Sequence, residues 1–178
     1  AKASITRKLM DLGFSVTSDF NTEAELIICI GGDGAFLETV HNCNFPDIPI
    51  LGVNTGHLGF FQEATPDQMD TFIEEVIRGE YRIQELCTVI AEITTTDGIT
   101  HSHDGLNEIV IRGRQSEAIH LQINIDGIEI QQFSGDGIVV ATPAGSTAYN
   151  YSLRGSLVDP RLNLLQMTPM APISTIAY

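Results

Sequence analysis

The spacing of apolar residues along the chain changes near Tyr81. Before that point, continuous apolar runs alternate with segments that repeat every three to four positions. In "SITRKLMDLGF", Ile5, Leu9 and Leu12 share a helical face, with Ser4 placed to cap the start and Gly13 to end it. Leu26 to Ile30 is an unbroken apolar run that stops at Gly31, which predicts a strand buried on both faces of a parallel sheet. Phe36, Leu37 and Val40 then give a short helical face, and Ile48 to Val53 a second buried strand.

"TPDQMDTFIEEVIRGE" predicts the clearest helix. Thr65 suits the N-cap, Pro66 the first helical position, and Gln68 completes a capping box. Met69, Phe72, Ile73, Val76 and Ile77 line one face, and Gly79 supplies a left-handed stop. Strand, helix, strand, helix is the order of an open, mostly parallel α/β sheet.

Beyond Tyr81 the period becomes two. "CTVIAEITTTDGIT" is rich in β-branched residues around an Asp97-Gly98 turn. "IHLQINIDGIEI" alternates strictly, with Ile119, Leu121, Ile123 and Ile125 on one face, then Asp126-Gly127, then Ile128 and Ile130. We therefore expect an α/β domain over 1–79 and a β-rich, sandwich-like domain over 80–178, the division falling between Arg78 and Arg82. The chain starts almost at once in a helix and stops at "APISTIAY" without a turn or cap, so the working protein is expected to be longer.

Composition narrows the function classes. Nine Lys and Arg stand against 23 Asp and Glu, a formal net charge of −14. Such a surface repels phosphate backbones, so no nucleic-acid partner is expected. A polyanionic ligand then needs local compensation from backbone N–H groups, a metal or a few cations. Cys29, Cys43 and Cys87 are odd in number and widely spaced, which argues against a disulfide framework. Neither a signal segment nor a bilayer-length apolar run is seen, and a soluble, cytoplasmic protein with no membrane partner is expected.

Four segments carry candidate chemistry. In the first, Gly31, Gly32 and Gly34 surround Asp33 between a strand and a helix starting near Ala35. Such glycines permit positive φ and close approach of a ligand, and the helix N-terminus favours an anion. Asp33 in that place is either a helix cap or a group that takes a proton or binds metal. "GVNTGHLGFF", Gly52 to Phe61, follows the second strand at the same sheet edge, with His57 as a capping or packing residue; no catalytic triad is visible. His101 and His103 share a strand face, but no third and fourth metal ligand stands at a recognised spacing. Asn107 and Glu108 precede "IVI" and combine donor and acceptor groups suited to a ribose diol or a base edge. Last, "SGDGIVVATPAGSTAYNYS" sets a second Gly-Asp-Gly before a buried strand and a hydroxyl-rich turn with Tyr149 and Tyr151 after it.

Taken in order, "GGDG", "NTGHLGF", "DGLNEIVI" and "GDGIVVATPAGSTAYNYS" resemble the NAD kinase family over nearly the whole chain. The resemblance implies an α/β domain followed by a β-rich dinucleotide-binding domain. It implies phosphoryl transfer from ATP, or from polyphosphate, to the adenosine ribose 2′-hydroxyl of NAD, giving NADP. Asp33 is similar to the family's general base, with Gly31, Gly32 and Gly34 cradling phosphate and Mg2+ or another divalent cation assisting. Asn107, Glu108 and Asp136 match NAD-contacting positions, as do Asp33 and Gly34. Thr147, Ala148, Tyr149, Asn150, Tyr151 and Ser152 match the dinucleotide loop, with Tyr149 expected against a ring. A homodimer or homotetramer is implied.

Departures from the pattern are Ala35 for Thr, Ser134 for Arg, Ala144 for Ser or Thr, Tyr151 for Lys, and Arg154 within a glycine-rich "SLGG". They remove polar donors and leave a non-catalytic dinucleotide-binding protein as an alternative, although Asp33 and the Asn107-Glu108 pair argue for catalysis. A lipid kinase that shares "GGDG" calls for a basic or apolar membrane-facing patch, which this acidic chain does not show.

Overall fold

The computed structural model describes residues 2–56 and 59–173. The chain divides into two compact units, Ala1–Ile83 and Gln84–Tyr178.

In the first unit, helix α1 (Lys2–Asp11) precedes strand β1 (Ile27–Ile30), helix α2 (Asp33–Asn42), strand β2 (Ile50–Val53) and helix α3 (Met69–Arg78). β1 and β2 pair in parallel, Ile27 opposite Ile50 and Ile30 opposite Val53. Ile5, Leu51, Val53, Ala64, Met69 and Ile73 form the core, with Leu9, Leu26, Ile28, Ile30 and Phe72 packed against it. Of β1 only Cys29 is fully buried, so this strand is covered less than its apolar run suggests.

Helix ends follow local chemistry, with three corrections. α1 begins at Lys2, so Ser4 lies inside it and caps nothing. Its end is as expected: Gly13, at φ +90°, donates to Met10 O while Phe14 donates to Leu9 O, a Schellman closure. Gly79 closes α3 in the same way, at φ +70°. α3 itself starts at Met69, because 66–68 form a tighter turn. Half of the capping box survives: Gln68 Oε1 accepts from the Thr65 N–H at 3.0 Å. Ile77, placed on the apolar face by its spacing, is 54% exposed.

The second unit is antiparallel throughout its paired strands. β3 (Val89–Thr94) and β4 (Thr100–Gly105) form a hairpin across the Asp97-Gly98 turn. β6 (Ile119–Ile125) and β7 (Ile128–Gly135) form another across Asp126 and Gly127, both at positive φ as a two-residue turn requires. β5 (Glu108–Arg112), β8 (Gly137–Ala141) and β9 (Gln166–Met170) make a three-stranded sheet with β8 in the middle. Val139, at its centre, is fully buried. After β8 the chain makes a 3-10 turn over Ala144–Thr147 and a short helix α4 (Tyr149–Ser152).

Among the described residues, no helix is long and apolar enough to cross a membrane.

Candidate active site

In the first unit a candidate group grows from the ends of β1 and β2. Gly31 donates to Val53 O, tying the two strand ends together. The chain leaving β2 turns back at once: Asn54 donates to Ala64 O at 2.7 Å and Glu63 to Gly52 O at 3.0 Å. That closed loop brings Phe60 and Phe61 to the start of α2, where Phe61 stacks on Phe36 at 4.8 Å.

Asp33 meets this loop. Gly32 is the N-cap of α2 and Asp33 its first helical residue, so the carboxylate does not cap the helix. Instead Oδ1 accepts from the Phe60 and Phe61 N–H groups at 2.9 and 3.1 Å, and Oδ2 from Phe60 at 3.1 Å. Gly59 lets the loop come this close, since a Cβ there would stand 2.5 Å from Asp33 Oδ1.

The glycines around Asp33 serve a different purpose from the one their conformational freedom suggests. Gly31, Gly32 and Gly34 all lack positive φ. Gly31 is required by contact, its missing Cβ being 2.6 Å from that of Ala35. Gly32 and Gly34 border open space, and among the described residues the N-cap makes no side-chain bond to α2, so its first N–H groups suit an anion. His57 lies outside the described residues.

The second unit gathers its own group at the opposite end of β8 from Gly137. Thr142, fully buried, donates through Oγ1 to Leu106 O at 2.6 Å and accepts from the Gly145 N–H at 3.1 Å. Thr142 N–H donates to Asn107 O at 2.8 Å. The turn at Gly145 presses on the Asn107 backbone so closely that a Cβ would stand 1.9 Å from its oxygen. Asn107 Oδ1 and Glu108 Oε2 are buried with no hydrogen-bond partner among the described residues. Burial also pushes the Glu108 carboxyl above its ordinary range. Buried polar atoms are nearly always paired, so both side chains carry hydrogen-bonding capacity that the described residues leave unused.

Of the loop residues named from the sequence, Tyr149, Tyr151 and Ser152 are exposed, while Thr147 and Ala148 are half-buried. Asn150, expected from the sequence at the dinucleotide, has its side chain turned inward. It is fully buried, and its amide is used internally: Oδ1 accepts from Thr168 at 2.6 Å, and Nδ2 donates to Ser146 O and Ser156 O. Its work is to anchor α4 to β9. Asp136 is exposed and sits before Gly137, which pairs with Arg112, whereas Glu108 pairs with Ala141. Asp136 is thus displaced from Glu108 by roughly 16 Å in the direction of β8, at 3.3 Å per residue. His101 and His103 are exposed on β4, and no cluster of three or more metal-ligating side chains occurs among the described residues.

Thr142 and the Phe60 and Phe61 amides were not singled out by sequence reasoning. Thr142 stands next to Pro143 at a strand end, a signal for a buried turn. The amides carry no side-chain signal at all.

Comparison with known proteins follows the same division. Residues 6–81 match the ATP-NAD kinase N-terminal domain, and residues 106–177 the ATP-NAD kinase C-terminal domain. An NAD kinase from Finegoldia magna is 43% identical over 172 residues, which is 96% of this chain and 63% of that protein. An NAD kinase from Bacteroides fragilis is 38% identical over 86% of this chain and 53% of its own length. The chain therefore spans less than two thirds of these relatives. Among solved structures, yeast NADH kinase with NADH is 30% identical at a TM-score of 0.78, covering 85% of this chain and 46% of that one. An NAD kinase from Archaeoglobus fulgidus with ATP is 26% identical at 0.79, covering 99% and 70%.

Proposed function

Since the chain belongs to the NAD kinase family, we propose that the protein carrying it transfers the γ-phosphoryl group of ATP to the 2′-hydroxyl of the adenosine ribose of NAD. The observation that carries this reading is the position of Asp33. A carboxylate stands in the first turn of α2, where the free N–H groups favour a phosphate, and it is held from behind by two loop amides. A site built only to bind phosphate gains nothing from a negative charge there. A site that must accept a proton beside a phosphate requires one.

The steps follow. The ribose 2′-oxygen attacks the γ-phosphorus, the bond to the β-phosphate oxygen breaks, and ADP leaves. The hydroxyl proton passes to the Asp33 carboxylate. Backbone N–H groups at the start of α2 take up charge on the transferring oxygens. Asn107 Oδ1 and Glu108 Oε2, two acceptors without partners, would receive hydroxyl or amine hydrogens of the bound dinucleotide. Tyr149 and Tyr151, both exposed, offer rings for stacking.

A divalent cation suits this donor set without a protein cage. Mg2+ is commonly held by substrate phosphates and water with one or two carboxylates, and Asp33 is such a carboxylate at the phosphate end. When bound, the ion would neutralise charge on the β- and γ-phosphates. Asp136, just before β8, and Glu108, at the start of β5, lie toward opposite ends of the sheet, so they would meet different parts of an extended dinucleotide.

Full-length protein incubated with NAD, Mg2+ and ATP tests the reading. The expected product is the 2′-phosphate, reducible by an NADP-specific dehydrogenase; ATP consumption without such a product would overturn it.

A further inference from the structure

Among the described residues, Gln62 also has unpartnered buried atoms, both ends of its side-chain amide. Its surroundings are specific. The point where Gly59 lacks a Cβ is 1.8 Å from Gln62 Oε1 and 2.5 Å from Asp33 Oδ1. Two acceptors therefore flank one point in a closed space, which is repulsive. Half a turn of the amide exchanges its oxygen for a donor. A buried amide left unpaired is destabilising, so its presence here calls for a partner.

We propose that Gln62 is a positioning residue for Asp33, its Nε2 donating to Asp33 Oδ1 and completing a three-donor clamp with the Phe60 and Phe61 N–H groups. The consequence is directional. Oδ1 becomes saturated, while Oδ2, which has only the long shared bond from Phe60, stays open toward the reacting hydroxyl. The inference rests on the proposed role of Asp33 for its catalytic meaning, but the contact itself is testable without turnover.

Two measurements on the full-length protein decide it. With 15N-glutamine labelling, the Gln62 side-chain amide proton is expected to move upfield in Asp33→Ala; an unmoved resonance overturns the contact. In Gln62→Leu, kcat is expected to fall about tenfold with KM for NAD within about twofold, the signature of a positioning loss. The melting temperature should hold or fall slightly, because a hydrogen bond to a charged group has been lost. Gln62→Met is the second apolar variant should Leu disturb the loop. Unchanged kcat in either variant overturns the positioning role. Retained activity in Asp33→Asn would instead overturn the general-base reading, while the amide resonance still reports on the contact.

Discussion

Glu108 ties stability to pH through a single side chain. Its carboxyl is pushed up from 4.5 by burial, with no partner for Oε2 among the described residues. A folded-state value above the unfolded one means that the folded chain holds the proton more tightly. Stability therefore falls as pH rises from 4.5 through the raised value, and the ionised group is a cost at neutral pH. Glu108→Gln is expected to melt higher than the parent at pH 7.5, with the difference closing as pH approaches 4.5. The same change should weaken NAD binding about tenfold by calorimetry, as a charge-assisted contact is lost. A variant that melts lower at neutral pH, or binds NAD as before, would contradict this account. The Asn107-Glu108 pair was legible in the sequence because two polar residues stand where an apolar strand should begin. Gln62 was not, since its surroundings come from Asp33 and Gly59 through folding.

At the scale of elements, the ends of helices separate what the sequence can say from what it cannot. Gly13 and Gly79 were legible as stops because the left-handed turn they need is costly for other residues. The start of α2 was not: Asp33 is a good cap by composition, yet Gly32 takes that position and the carboxylate goes to amides 27 and 28 residues away. The end of α4 holds a departure from the family pattern with a visible price. Arg154, in a segment that is usually glycine-rich, sits at φ +66° while donating to Tyr151 O at 3.0 Å. A left-handed residue with a Cβ costs roughly 1–2 kcal/mol, partly offset by the freedom glycine loses on folding. Arg154→Gly is expected to raise the melting temperature by roughly 4 °C, the shift that about 1 kcal/mol gives in a unit of this size. An unchanged or lower melting temperature would show that the exposed guanidinium contributes more than the strain removes.

At the scale of the molecule, the parallel α/β unit and the antiparallel β-rich unit could be read from the period of apolar residues, and both hairpin turns from their Asp-Gly pairs. Burial could not, because Ile77, Ile125 and Ile128 carry the right spacing and yet are exposed. Net charge of −14 also acts at this scale. An acidic chain that takes the proposed nucleotide substrates must gather its favourable field locally, and the N–H groups at the start of α2 are the proposed place. The central claim is that Asp33 is at that helix start to take a proton. The direct test is kcat for NADP formation by the full-length protein against Asp33→Asn, with NAD binding measured in both. The account predicts a fall of at least ~100-fold in kcat, the scale of a lost general base, with NAD still bound. An Asp33→Asn protein that forms NADP at the parent's rate would contradict it.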